Sequence, residues 1–411
     1  MIRIIEASEV GSILRRRAAR LDKAETMVRP ILEAVRKRGD KALLGYARRF
    51  DAFEGDTPAV SAGHLDSAWT ALRHELRTAI QTSARNIRAF ARLQLPKPVA
   101  KTTAGRRVGQ IVRPLDSVAA YIPGGRYPLP STLLMTVIPA KVAGVNHIAV
   151  ACPRPAPVIL GTAGFLEVSA FYRMGGAHAI AAFAYGTESV PRADRIVGPG
   201  NIYVAAAKKL LAGEVGIDFV AGPTEILIIS FEGDPRWIAA DMLAQAEHDT
   251  AAAAVLLTTS RTLARAVAGE IERQLATLPT AGVARTAIAR NSAIVLVRSS
   301  AQAVEIANRF APEHLSVPDR SFVGDIRHAG SVFIGPMSPE AAGDYASGPN
   351  HVLPTNGLAS LRGGLSAADF VKIISVQELD ARALRRLAPA IVTLARAEGL
   401  EGHARSVEAR L

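Results

Sequence analysis

The sequence predicts an α/β protein with two parallel-sheet units and small helical segments at its two ends. Three observations carry this. From about residue 110, short apolar runs rich in β-branched residues alternate with helical segments, the pattern of parallel sheets covered by helices. The runs are too many for one small sheet, so they divide between two units. With 411 residues, 49% of them apolar and 5% aromatic, the chain is long enough for two or three domains with a sizeable core.

Taken in order, residues 12 to 50 and 66 to 97 read as helices, with apolar residues at three- and four-residue spacing among charges. Strands are expected at "SVAAYIP", "HIAVAC", "AIAAFAY", "RIVGP", "EILIIS", "AAVLLTT", "AIVLVRS" and "SVFIGP". Helices are expected between them, at "STLLMTVIPAKVAG", "YVAAAKKLLAG", "PRWIAADMLAQAEHD" and "RTLARAVAGEIERQLATL". Cuts near 120 and 224 make the middle piece an insertion into an outer one. The expected division is an N-terminal helical segment (1–20), one unit from 21–120 plus 225–360, a second from 121–224, and a C-terminal helical segment (361–411).

Composition excludes several functions. The charged N-terminus has no apolar core of a signal peptide, and no apolar run reaches the roughly 18 to 20 residues that span a bilayer, so the expected compartment is the cytoplasm and no membrane is involved. A single cysteine, Cys152, rules out an intrachain disulfide or a thiolate cluster, and ending "HIAVAC" it reads as an inert core residue. The net charge of +12 comes from arginines scattered along helices, without the dense stripe and stacking aromatics of a nucleic-acid protein.

Chemistry-bearing residues gather in a few segments. "AYIPGGRYPLPST" and "VGPGNIYV" each follow a strand and lead into a helix, where free N–H groups suit an anion; neither matches G-x-G-x-x-G, and two tight turns explain them as well. "AGDYASGPNHVLPT" collects Asp344, Asn350 and His351 in a Gly/Pro loop. In "LAQAEHD", Gln245 and His248 share one helix face, acceptable zinc donors but not a site by themselves. In "APEHL", Glu313 and His314 read either as a general base beside a proton carrier or as a helix N-terminus begun by Pro312.

Together these segments, with "GIDFVAGPTE" and the final "AEGLEGH", resemble histidinol dehydrogenases in the family's own order, from about residue 110 onward. The resemblance implies two incomplete Rossmann-like domains and a homodimer whose C-terminal segment reaches the partner's active site. It implies oxidation of L-histidinol to L-histidine through the aldehyde, with NAD and bound Zn²⁺. Zinc would be held by Gln245, His248, Asp344 and His403. Glu313 would activate water and His314 accept protons. Histidinol contacts would come from Thr224, His314, His351 and Glu398 beside the zinc ligands, and NAD contacts from Tyr121, His178 and Asn201. Glu247, the second acid next to a histidine, would be incidental or help orient groups around the metal. The chain departs from the family at His178, usually glutamine, and in "GPTE", usually "GPSE".

Three other functions compete. A same-fold dehydrogenase could oxidise another primary alcohol such as a sulfopropanediol, but a sulfonate wants cations where this chain offers Glu398 and His351. A zinc hydrolase would leave the glycine-rich loops unexplained. A nucleic-acid binder would not need Glu313, His314 or Gln245.

Overall fold

A computed structural model describes residues 2–14, 21–125, 127–220 and 222–411. The chain begins with β1 (Arg3–Glu6) and the short α1 (Gly11–Leu14), then runs through α2 (Leu21–Asp51), β2 (Ala59–Val60), α3 (Ala62–Ala71) and α4 (His74–Leu93). A hairpin, β3 (Val99–Thr103) and β4 (Arg106–Pro114), leads into strict alternation: β5 (Ser117–Tyr121), α5 (Pro130–Ala143), β6 (His147–Ala151), α6 (Pro157–Phe165), β7 (Ala170–Tyr172), α7 (Gly176–Tyr185), β8 (Arg195–Val197), α8 (Ile202–Leu211) and β9 (Gly216–Ile217). A second alternation follows: β10 (Glu225–Ile229), α9 (Pro235–Ala246), β11 (Ala253–Thr258), α10 (Arg261–Leu275), α11 (Ala281–Asn291), β12 (Ala293–Leu296), α12 (Ser300–Phe310), β13 (His314–Val317), β14 (Ser331–Ile334) and α13 (Glu340–Tyr345). The chain closes with β15 (Val371–Leu379), α14 (Ala381–Ala397) and α15 (Glu401–Glu408).

Two six-stranded sheets result, in the orders β2-β7-β6-β5-β8-β9 and β1-β12-β11-β10-β13-β14. All their pairs are parallel except β2 on β7. Their strands are apolar throughout because helices cover both faces: Val118, Ala120 and Ile148 face one core cluster, and Ala119, Ala149 and Ile196 face another. Among the described residues no helix is long and apolar enough to cross a membrane.

The expected domain division needs correction. Residues 21–93 do not join the unit built from 225–360. The apolar stripe of α2 (Val28, Leu32, Val35, Leu43) is buried against α7 and α8, α3 packs on α6, and α4 packs on α5. The helices of residues 21–93 therefore belong with the sheet of 117–217, and because β1 lies in the other sheet this unit is itself the inserted piece. Burial decides this, because three amphipathic helices must cover the nearest bare sheet. Nor is 1–20 simply helical: β1 lies parallel to β12 and completes the second sheet, while residues 15–20 lie outside the described residues.

Smaller corrections have local causes. "AIAAFAY" is helix α7, since a run of small apolar residues fits a buried helix as well as a strand. "APEHL" is no helix start. Ala311 ends α12 in the left-handed conformation, and His314 opens strand β13. The C-terminal segment contains a nine-residue strand, β15, which pairs antiparallel with β4 beside β3.

Between the two units, the loop after β8 is held from below. Buried Lys208 is ion-paired with buried Asp218. Lys208 Nζ donates to Gly198 O at 3.1 Å, and Gly198 N donates to Asp218 Oδ2 at 2.8 Å. Gly198 has φ +109°, and an added Cβ would sit 2.2 Å from Tyr121 O, so glycine is required there.

Two outcomes follow. Lys208→Met should lower unfolding free energy in urea by about 3–5 kcal/mol, and adding Asp218→Leu should recover much of that loss. Cys152 is buried at the end of β6 and burial pushes its thiol up to about 12, so a thiol reagent at pH 7 should leave the native protein unmodified and label it in denaturant.

Candidate active site

Parallel sheets tend to bind ligands beyond their carboxyl ends, where strand order reverses. The first unit follows that rule. Its strand order reverses between β5 and β8, and the loops after them, with Pro123, Gly125, Pro199 and Asn201, line a cavity of about 840 Å³. The second unit does not. It presents the amino ends of its strands: Thr224 precedes β10, Glu313 precedes β13, His314 opens β13, and His248 lies between α9 and β11. The loop from α13 to His351 brings Asp344 and His351 to the same wall.

The amino ends of parallel strands leave backbone N–H groups unpaired, and two glutamates meet that need reciprocally. Glu225 N donates to Glu313 Oε2 at 2.9 Å, and Glu313 N donates to Glu225 Oε1 at 3.3 Å. Thr224 Oγ1 donates to the same Glu313 Oε2 at 2.6 Å. The Gln245 amide lies between Thr224 and Glu340: in one orientation its Nε2 donates to Thr224 Oγ1 at 2.6 Å, and in the other its oxygen accepts from Thr224 Oγ1 and from Glu225 N at 3.2 Å while its nitrogen donates to Glu340 Oε2 at 2.9 Å. Burial, with Asp344 and Glu313 nearby, pushes Glu340 well above the usual carboxylate range.

His314 is buried between these groups. Its Nδ1 lies 3.2 Å from Glu225 O and 3.3 Å from Glu340 Oε1, which assigns the ring proton to Nδ1. Nε2 has no hydrogen-bond partner and lies 3.8 Å from Asp344 Oδ1. Burial pushes the imidazole down to about 4, against the opposing pull of Asp344, so at neutral pH Nε2 offers a lone pair. His351 is lowered by burial as well; its Nδ1 is 2.9 Å from Asp344 O and its Nε2 3.4 Å from Thr132 Oγ1.

Asp344 is the centre of the donor set. His248 Nε2 lies 3.8 Å from its Oδ2, and ligand atoms of His314, Glu340 and Asp344 fall within 4.8 Å of one another. Imidazole nitrogens converging on a carboxylate, with one buried nitrogen unpartnered, are chemistry that fits a zinc-type cation.

The structure thus brings together Thr224, His248, Glu313, His314, Asp344, His351 and Asn201 around one cavity. Other expected site residues lie elsewhere. Gln245 is fully buried behind the wall, its amide engaged by Thr224 and Glu340. Tyr121 is buried, its hydroxyl accepting from Gly176 N at 3.2 Å. His178 is 1% exposed, with Nε2 held 2.9 Å from Asp51 Oδ2, and does not line the cavity. Glu398 and His403 are exposed on the C-terminal helices, outside this cavity. Glu247 turns away and accepts from Thr280 Oγ1 at 2.6 Å. Sequence reasoning missed Glu225 and Glu340. The available signal was an acid heading the wholly apolar run "EILIIS".

The similarity to known proteins is extensive. The family model for histidinol dehydrogenase matches residues 14–411. The histidinol dehydrogenase of Synechococcus sp. is 46% identical over 398 residues, 94% of this chain and 92% of that protein. That of Thermus thermophilus is 46% identical over 413 residues, 99% and 100% of the two chains. The crystal structure of histidinol dehydrogenase from Elizabethkingia anophelis matches with a TM-score of 0.96 at 36% identity, over 100% of this chain and 98% of that one. With sequence and fold shared end to end around this wall of carboxylates and imidazoles, the chain belongs to the histidinol dehydrogenase family, oxidoreductases of histidine biosynthesis.

Proposed function

We propose that the chain converts L-histidinol to L-histidine through L-histidinaldehyde, using NAD and zinc, as a cytoplasmic homodimer. The observation that carries this reading is the cavity wall itself. Among the described residues no lysine or arginine lines it, whereas Glu313, Asp344, Asp249 and three histidines do. Such a wall suits a substrate with an ammonium and an imidazole. It disfavours a sulfonate, which needs cationic partners.

His248 and Asp344 would hold the zinc, joined by Gln245 once its amide turns from Glu340, and by His403 of the partner subunit. When bound, zinc supplies a positive anchor for the substrate's nitrogens, and NAD supplies the hydride acceptor. The remaining work falls to this chain. His314 Nε2 takes the proton released as the alcohol, and later the hydrate, is oxidised. Glu313, fixed through Oε2 by Thr224 and the Glu225 N–H, takes a proton from the water that adds to the aldehyde. Both groups sit in one dry wall, so neither needs to reorient between the two oxidations. The partner subunit's Glu398 would receive the substrate ammonium.

Zinc-loaded protein given L-histidinol should form two NADH per substrate consumed, and a chelator should abolish both; release of no NADH by folded, zinc-loaded protein would overturn the reading. Glu313→Gln should slow the aldehyde step by roughly 10²–10⁴-fold and the alcohol step far less, read by supplying alcohol and aldehyde separately. Mixing Glu313→Gln with His403→Ala should restore about a quarter of the wild-type rate of histidine formation, which each variant alone lacks, because a mixed dimer with shared sites keeps one intact site. No recovery after subunit exchange would remove the shared site.

A further inference from the structure

The short helix α13 carries two acids, Glu340 and Asp344, four residues apart and so on one face. That face brackets the imidazole of His314. Glu340 Oε1 lies 3.3 Å from Nδ1, and Asp344 Oδ1 lies 3.8 Å from Nε2. Close packing seats the helix there. Gly343 meets Phe333 of β14, where an added Cβ would stand 2.7 Å from the ring, and the centroid of that ring is 6.0 Å from that of His314. Of the two acids only Asp344 lines the catalytic cavity. Glu340 is 3% exposed, and its carboxyl faces His314 Nδ1 and the Gln245 amide. A buried carboxyl is costly, and the proton transfers at His314 Nε2 and Glu313 do not themselves use this one.

We propose that Glu340 is a positioning residue for the proton transfers: it fixes the ring of His314 so that Nε2 is the nitrogen offered to the substrate. The inference rests on the proton role given to His314 above. Turned over about its Cβ–Cγ bond, the ring would set a carbon edge against the oxygens that now face Nδ1. Two acceptors oppose that turn. Glu225 O, at 3.2 Å, belongs to β10, the strand paired with β13, and comes with the sheet. Glu340 Oε1 comes from a separate helix, and Glu313 Oε2 is farther away at 3.8 Å. Together Glu225 O and Glu340 hold the one Nδ1 proton. That leaves Nε2 as the basic nitrogen and sets an oxygen lone pair against the imidazolium that forms when Nε2 is protonated. Because Asp344 lies one turn along the same helix, a single element sets both the orientation of the base and the place of a proposed zinc donor.

The test compares Glu340→Met, which keeps the volume and removes both oxygens, with Glu340→Gln, which keeps an acceptor. Full-length protein saturated with zinc is given L-histidinol and NAD, and NADH is followed in the steady state and in a single turnover, where product release does not mask the chemistry. Glu340→Met should lower kcat and the single-turnover rate about tenfold or more and leave KM for histidinol within about twofold, because Glu340 touches His314 and not the substrate. Glu340→Gln should keep both rates within about threefold of the wild type. Thermal unfolding of Glu340→Met should come at or above the wild-type temperature, since a buried carboxyl has been removed. If Glu340→Met does not fold, Glu340→Asp, which draws the carboxyl back from Nδ1, takes its place with the same split between kcat and KM. An unchanged single-turnover rate in the variant that folds overturns the role, as does a loss of rate accompanied by an equal loss in Glu340→Gln. Zinc affinity, measured by competition with a chelator, should be the same in Glu340→Gln as in the wild type; zinc lost from that variant would make Glu340 a metal ligand instead. Absence of NADH from the wild type itself overturns the proposed reaction and this role with it, whereas an active wild type beside an equally active Glu340→Met overturns the role alone.

Discussion

Everything at the catalytic wall depends on how buried carboxylates are kept in an apolar sheet. An unpaired carboxylate in such a place costs several kcal/mol, and here Glu225, Glu313 and Glu340 are all nearly inaccessible. The solution lies in the backbone. Glu225 and Glu313 each accept the other's N–H across β10 and β13, so each acid satisfies a strand end that would otherwise be bare. Glu340 takes the other course: burial beside like charges raises its carboxyl well above the usual carboxylate range.

That solution fixes the relation between the two sheets. Only amino-terminal strand ends leave N–H groups to receive Glu313, so the second unit must present those ends to the cavity. The first unit presents carboxyl ends, with glycine- and proline-rich turns that bring Pro123, Gly125, Pro199 and Gly200 to the cavity. A cavity between opposite sheet ends thus joins close-approaching backbone on one side with carboxylates and imidazoles on the other. The Lys208–Asp218 pair grips Gly198 on the first side, as the glutamate pair grips the strands on the other.

The sequence made the parallel sheets readable because β-branched runs such as "EILII" and "AAVLLT" are long enough to declare themselves. It also made Glu313, His314, His248 and Asp344 readable, since each stands out from an apolar or glycine-rich frame. Long-range partners were not readable. Burial of α2 against α7 and α8 decides which unit owns residues 21–93, and no local pattern encodes it. The roles of Glu225 and Glu340 depend on packing across strands and helices far apart in the chain. His178 shows the converse. Its place in "GGAHAI" suggests a ligand contact, but Asp51, 127 positions away, claims the ring nitrogen.

The C-terminal arm pairs with β4 of its own chain yet leaves much of its apolar surface exposed. Strand β15 is exposed along nearly its whole length, with Ile373 54% and Val376 44% accessible, and Leu394 of α14 is 63% accessible. An antiparallel ribbon with bare apolar faces gains little from its hydrogen bonds alone. The same arm carries Glu398 and His403, whose side chains the cavity of their own chain does not reach. The proposed homodimer accounts for both facts at once. Covering the ribbon supplies the apolar burial that steadies the arm, and the arm then carries a carboxylate and an imidazole to a wall already supplied with Asp344 and His248. Assembly and completion of the site are in that case one event, driven by burying surface rather than by the metal.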